Sequence, residues 1–374
     1  MKPKIRMQNH HVTKLEINLT ALKYNYQYFK SQTKPGTKTL AVVKAFAYGL
    51  EPTTLANTLE KEGVDYFGVA YAYEGVKLRE NGIKTPILVL HAQVAHYKLF
   101  VEHLLEPNLY SIHTLKKFLA FAKENDLDNY PIHLKFNTGL NRLGFDHSEI
   151  NQVIELIKNN KNVKITSVFS HISASEDPNE IEFTEQQIST FKNIVKQLRS
   201  SIGNIFFVHM SNTSGVINYP DAHFDMVRIG IGLYGFGNHI KETEKLQNVA
   251  NLKSIISQIR TVPKGESISY NRAFITSKEE KIAIIPIGHA DGFSRPLGCG
   301  NGYVTIRGQR AKTVGNVCMD MILVNVTDIY CKEGDEVIVF DQQKTVEEFA
   351  AICQTISYEI LTAISQRIQR VFIK

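Results

Sequence analysis

At 374 residues the chain is too long for one small core and suits two domains, since a barrel alone can fill about 250 residues. Hydrophobic residues at 43% and charged residues at 21% are ordinary for a globular protein, and no run of 18 apolar residues offers a membrane span. The net charge of +6, from 43 basic and 37 acidic residues, comes without any five-residue basic block, which argues against a nucleic-acid surface.

The opening stretch, MKPKIRMQNHHVTKLEINL, carries charge but no apolar core and no small-residue cleavage site, so a cytoplasmic location is expected. From there to Gly237, short apolar runs alternate with longer stretches of helical spacing. The runs at 40–43, 66–69, 87–90, 109–112, 132–136, 165–171, 205–209 and 226–229 predict strands, and 53–61, 72–80, 114–125 and 183–199 predict helices between them. Asn18, Asp146 and Thr213 are candidate helix starts. Eight β/α units over about 225 residues predict a TIM (β/α)8 barrel.

After Gly237 the helical spacing fades. Short runs at 254–262, 267–270, 282–286, 303–306, 321–326 and 337–340, separated by Gly-, Pro- and Asn-rich turns, predict a mainly-β domain closed by helices at 345–353 and 358–365. The expected domains are therefore 1–237 and 238–374, with a short N-terminal strand available to join the second. Cys299, Cys318, Cys331 and Cys353 form no CxxC pair, so no metal site and mostly buried, reduced thiols are expected.

A barrel carries its chemistry where strands end, so the polar residues after each apolar run come first. Lys44 ends the first strand. It reads either as a snorkelling lysine or as an amine of lowered pKa able to form a Schiff base. Lys135 lies near the end of the fifth and Arg142 follows it, and Arg142 reads as a surface residue or as a partner for an anionic or phenolic group. In HMSNTSG (209–215), Asn212 and Thr213 suit either plain helix capping or a phosphate at a helix start. In RIGIGLYG (228–235), Arg228 ends the eighth strand before a glycine-rich turn. These two segments fall after strands seven and eight, where barrels often bind phosphate. In the second domain, Tyr270 and Asp320 stand out but have ordinary packing and turn readings as well.

Taken in order from about Lys14 onward, VVKAFAYG, KFNTGLNRLGF, HMSNTSG, RIGIGLYG, ISYNRAF, PIGHADGF, VGNVCMD and SYEILTAISQRIQR resemble the alanine racemase family. The resemblance implies pyridoxal 5'-phosphate as cofactor, a small amino acid as substrate, and a homodimer with shared active sites. Lys44 would bind the cofactor covalently and act as base on one face of the substrate. Tyr270, from the partner subunit, would act on the other. Two proton carriers are needed because racemisation removes a proton from one side and returns it to the opposite side. Arg228 would face the pyridine nitrogen and, as a permanent cation, would leave the ring neutral. Tyr48, Asn212, Thr213, Gly230, Ile231 and Tyr358 would hold the phosphate, Arg142 the phenolic oxygen, and His171 would lie between ring and Arg228. Lys135 matches a lysine that is carbamylated in several members, and Met319 and Asp320, from the second subunit, would help form the substrate site together with Arg142.

The sequence also departs from the pattern. Phe46 stands where Asn is usual, Leu50 where His is usual, His289 replaces an entrance tyrosine and Met321 a common glutamine. An entrance histidine is expected to make substrate access sensitive to pH; overlaying pH–rate profiles of the wild type and His289→Tyr would refute that. The rival functions are a broader racemase (serine, for instance), a barrel-type pyridoxal-phosphate decarboxylase, and a non-catalytic pyridoxal-phosphate carrier, the last disfavoured by the second domain and Tyr270.

Overall fold

A computed structural model describes residues 11–158, 160–203 and 206–374. The charged stretch 1–10, read above for its lack of a signal sequence, and Ile205, placed in the seventh predicted barrel strand, lie outside the described residues. Contacts divide the chain into two units. Among the described residues, one comprises 22–47 and 51–247, the other 11–21, 48–50 and 248–374.

The first unit is a closed barrel of eight parallel strands: β2 (Lys38–Val42), β3 (Tyr66–Val69), β4 (Ile87–Val89), β5 (Glu106–Leu109), β6 (Tyr130–Lys135), β7 (Val163–Phe169), β8 (Phe207–His209) and β9 (Met226–Ile229). β9 pairs back onto β2, Leu40 opposite Arg228. The strands are buried almost throughout, as a parallel sheet covered on its outer face requires. Helices Pro52–Lys61, Ala72–Glu80, Ile112–Glu124 and Ile181–Ile202 match the predicted stretches to within three residues. Their apolar stripes turn inward, as Leu55 and Leu59 do in the first.

β5 begins three residues before the predicted 109–112. Glu106-Pro107-Asn108 reads as a turn because Pro and Asn interrupt strands. Here Asn108 is fully buried and donates to Leu90 O at 2.8 Å, while Pro107 sits in register with Val89. A triplet with two polar residues and a proline is thus a barrel strand, with the buried Asn108 amide donating across to the neighbouring strand's end. Residues 238–247 also stay with the barrel unit: Gln247 N donates to Asn25 Oδ1 at 2.8 Å, and Ser214 and Asn218 donate to Glu242.

The second unit holds a six-stranded sheet in the order β16-β15-β18-β10-β1-β19. Its strands are β1 (Lys14–Asn18), β10 (Ala250–Ile255), β15 (Tyr303–Ile306), β16 (Gln309–Lys312), β18 (Glu336–Phe340) and β19 (Gln369–Ile373). The N-terminal strand β1 lies between β10, antiparallel, and the C-terminal β19, parallel. A three-stranded sheet, β11 (Gln258–Val262), β14 (Glu280–Ile285) and β17 (Ile322–Asn325), and a ribbon of β12 (Ser267–Ile268) and β13 (Phe274–Ile275) complete it. The stretch expected as one strand over 254–262 is two. The chain leaves β10 at Ile256, bonded to Asp335 O, and enters the other sheet at Ser257, bonded to Ile284 O. Helices Gln343–Ile352 and Ser357–Thr362 stand close to the expected 345–353 and 358–365. Contrary to the expectation of buried thiols, Cys299 is exposed and the other three cysteines are half-buried. Among the described residues no helix is long and apolar enough to cross a membrane.

Candidate active site

In the barrel unit, Lys44 follows β2 directly, at the C-terminal mouth. The next residues, Ala45, Phe46, Ala47 and Tyr48, all have φ between 51° and 56°. Such a run of non-glycine residues is costly, of order 1–2 kcal/mol each. It persists because its amides are held: Ala47 N bonds Val43 O, Glu51 N bonds Phe46 O, and Ala45 N donates to Glu74 Oε1 at 2.7 Å. The other Glu74 oxygen receives Ala70 N and Tyr71 N, so one carboxylate ties the ends of β2 and β3 together. Neither this turn nor Glu74 was legible in the sequence.

Arg228, on β9, is 5% exposed. Its Nη1 donates to His209 Nδ1 at 2.6 Å. Its Nη2 donates to Ser170 O, Met210 O and His171 Nδ1 at 2.8, 2.9 and 3.0 Å. None of these acceptors is a carboxylate. Burial and the neighbouring Arg142 bring the guanidinium down to about 9. The same surroundings hold His171 and His209 well below the ordinary imidazole value: burial first, then the cation Arg228. Both rings are therefore neutral acceptors.

Two amines share this field. Burial, then Arg142 and Arg228, lower Lys44 despite the opposing carboxylate of Glu74. Lys135, at the end of β6 and 7% exposed, is lowered to about 7 by burial, Arg142, Arg228 and Lys44, in that order. Arg142 is exposed in the loop beyond β6.

The turns after β8 and β9 are stitched to one another. Thr213 Oγ1 accepts from Gly230 N at 3.1 Å and Gly232 N at 3.4 Å. Asn212 caps the helix Thr213–Asn218, its Oδ1 accepting from Gly215 N at 2.9 Å and from Ser175 Oγ at 2.7 Å. Ile231 is buried. Gly232 has no room for a side chain: a Cβ there would lie 2.4 Å from the Phe29 ring and 2.8 Å from Thr213 Cγ2. Gly232→Ala is expected to destabilise the protein by about 1–3 kcal/mol in a denaturant titration, and to weaken retention of any ligand held by Thr213.

The second unit carries the remaining predicted residues. The rings of Tyr48 and Tyr358 lie 5.8 Å apart. Gly49 beside them takes φ 89°, and a Cβ there would meet Leu361 O at 2.2 Å; its carbonyl accepts from Arg370. Tyr270 is 68% exposed and Met319 59%. Ser269, Asn271 and Arg272 all have positive φ. Asn316 pins that strained turn, donating to Tyr270 O at 3.0 Å and accepting from Ser269 Oγ at its own carbonyl. Asp320 accepts from Arg367 at 2.7 Å, and Arg367 also grips Asp291. The barrel thus gathers Lys44, Lys135, Arg142, His171, Arg228, Asn212, Thr213, Gly230 and Ile231 at or just beyond its strand ends. Tyr48, Tyr270, Met319, Asp320 and Tyr358 belong to the other unit.

Residues 17–237 match the family model for the alanine racemase N-terminal domain, and 249–372 that for the C-terminal domain. The chain belongs to the alanine racemase family. It is 37% identical to an alanine racemase of Fusobacterium nucleatum, over 96% of this chain and 99% of the other. An alanine racemase structure from Clostridium difficile shares 35% identity with a TM-score of 0.90, covering 97% of this chain and 96% of that one. A third relative, from Bartonella henselae, was solved with covalently bound pyridoxal phosphate; it is 28% identical with a TM-score of 0.89, covering 97% and 99%.

The residues of this chain fit that cofactor. An aldehyde needs an amine that is neutral near physiological pH, and both Lys44 and Lys135 are pushed that way. A phosphate needs a positive surrounding and donors, and the site holds the guanidiniums Arg142 and Arg228, with no carboxylate bonded to Arg228. Uncompensated buried positive charge is expensive alone and favourable once an anion arrives.

Proposed function

We propose that this protein interconverts L-alanine and D-alanine with pyridoxal 5'-phosphate, using Lys44 and Tyr270 as the two proton carriers. The observation that carries this reading is the lowered lysine at the end of β2, aimed by a strained turn into a field of cations. When bound, the cofactor supplies the electron withdrawal that acidifies the substrate α-carbon. Lys44 anchors it and exchanges a proton on one face. Arg228, a donor at every nitrogen, holds the ring nitrogen as an acceptor. Thr213, Asn212, Gly230, Ile231, Tyr48 and Tyr358 hold the phosphate, and His171 keeps Arg228 in place. Arg142 stands at the phenolic oxygen and, with Met319 and Asp320, at the substrate carboxylate.

Tyr270 takes the second face from a partner subunit, in a homodimer. Its high exposure, with that of Met319, supports this: two large side chains open to solvent, Tyr270 on a pinned, strained turn, suit a surface that a partner covers. In this reading D-alanine is made in the cytoplasm for peptidoglycan. The decisive experiment is incubation of the purified protein with L-alanine and chiral analysis. Formation of D-alanine without carbon dioxide supports the proposal, and carbon dioxide release with no D-alanine would refute it in favour of a decarboxylase.

Lys135 is proposed to be carbamylated. Carbamate formation requires a neutral amine. A lysine brought to about 7 is half neutral at that pH, against about one in three thousand for an ordinary lysine. Uptake of 13C-bicarbonate should therefore rise with pH through about 7, giving a carbamate carbon signal absent from Lys135→Met. A carbamate would also place an anion between Arg142 and Arg228. No signal in the wild type at any pH up to 9 would remove the assignment.

A further inference from the structure

The interior of a parallel barrel is normally packed with branched apolar side chains. In this one a string of polar side chains crosses it. From Arg228 on β9, the string passes to His209 on β8, Ser167 on β7, His133 on β6 and Glu106 on β5, one residue from each of five neighbouring strands. The contacts are Arg228 Nη1 to His209 Nδ1 at 2.6 Å, His209 Nε2 to Ser167 Oγ at 2.9 Å, Ser167 Oγ to His133 Nδ1 at 2.6 Å, and His133 Nε2 to Glu106 Oε2 at 2.6 Å. His133 and Ser167 are in direct register. His209, Ser167 and His133 are each 0% exposed. Glu106, the first residue of β5, lies at the opposite end of the barrel from the mouth, and its side chain is 13% exposed.

The proton of every link is dictated from both ends. A guanidinium only donates, so His209 Nδ1 carries a lone pair and Nε2 the hydrogen. Ser167 therefore accepts from His209 and gives its own hydrogen to His133 Nδ1. That leaves His133 Nε2–H pointing at Glu106, a carboxylate that only accepts. All donors meet acceptors, with no conflict along the string, and a half-satisfied network in this position would be worse than an apolar core. Phe169 stacks on His209 at 4.6 Å, and Phe207 and Tyr66 flank His133. The other titratable groups acting around Glu106 are Tyr66, Arg79 and Tyr130. Around Arg228 they are His171, Arg142, Lys44 and Lys135.

We propose that Glu106 is a positioning residue for Arg228, acting from the far end of the barrel through His133, Ser167 and His209. The Glu106 carboxylate ends the side-chain hydrogen-bonded path that starts at that guanidinium. By fixing the tautomer of both histidines, it presents His209 Nδ1 as the acceptor that locks Nη1 and orients the rest of the fork. Glu106→Gln keeps the size but lets the amide present either a donor or an acceptor, so the order of the string is lost. Ser167→Ala cuts the string in its middle.

The significance for catalysis rests on the reading of Arg228 given above; the ordering of the string does not. The test is therefore made in two parts on the full-length protein with its cofactor as isolated. With 15N-labelled histidine, NMR of the wild type should show both His133 and His209 as Nε2–H tautomers, each assigned by its loss in the matching His133→Gln or His209→Gln variant. In both Glu106→Gln and Ser167→Ala the His209 signals should move or average between tautomers. Racemisation should lose roughly tenfold in kcat with KM little changed, the scale of a partner that orients a functional group through another. The double variant should lose no more than Ser167→Ala alone, because the string is already cut. Unmoved His209 signals in Glu106→Gln, or losses that multiply in the double variant, would overturn the proposal. Ordered tautomers in a protein that makes no D-alanine would leave the string standing and refute the racemase reading alone.

Discussion

Lys44→Ala should abolish racemisation, with a fall of about 10⁴-fold or more, and should also remove the visible absorbance of a lysine-bound cofactor. Two roles disappear with one amine, the covalent anchor and a proton carrier, so the loss should exceed the 10²–10⁴ typical of a single acid–base group. Stability should not fall in parallel. Lys44 is half-buried and its ammonium form is disfavoured by burial, Arg142 and Arg228, so alanine removes a strained charge along with a small amount of packing. Lys135 is the instructive control. It is the other lowered amine in the same field, and Lys135→Met should keep the absorbance. Retention of the chromophore in Lys44→Ala and its loss in Lys135→Met would transfer the anchor to Lys135 and undo the assignment made here.

What the sequence revealed of this site follows from what each signal is made of. The barrel was readable because its signal is a repeating period: eight runs of apolar residues, with stretches of helical spacing between most of them. The turns after β8 and β9 were readable because position in the fold and chemistry agreed there, glycine and hydroxyl residues at the place where barrels hold phosphate. β5 was placed late because Pro107 and Asn108 look like a turn until Leu90 O is seen to receive the Asn108 amide. The turn after Lys44 was invisible for the opposite reason. Ala45-Phe46-Ala47-Tyr48 contains no glycine or asparagine to signal left-handed backbone, and only Glu74, on the next β/α unit, holds Ala45 there.

The string from Arg228 to Glu106 was beyond reach in a different way. Its five members span residues 106 to 228 and sit on five strands. Each alone reads as an isolated polar residue within or beside an apolar run. What brings them together is the stagger of neighbouring strands, and register is fixed by closure of the whole barrel rather than by any local pattern. The N-terminal strand was expected to be available to the second domain, and β1 does lie beside β10 and β19; which strands it pairs with, across more than 200 residues, no local window can detect.

Tyr270→Phe tests the two-sided chemistry most directly. It deletes one oxygen from a ring that is 68% exposed and leaves the backbone of its turn pinned by Asn316. Folding and cofactor absorbance should therefore match the wild type. Racemisation should drop by about 10²–10⁴-fold. In deuterated water the remaining carrier, Lys44, can still take a proton from one face and return a deuteron to the same face. The variant should thus exchange the α-hydrogen of one enantiomer with retention, while exchange of the other enantiomer nearly stops. A one-base protein would behave differently: the substitution would slow both directions and both exchanges by a common modest factor. Exchange that stays balanced between enantiomers in Tyr270→Phe would assign both proton transfers to a single carrier and leave Tyr270 with no part in moving the proton.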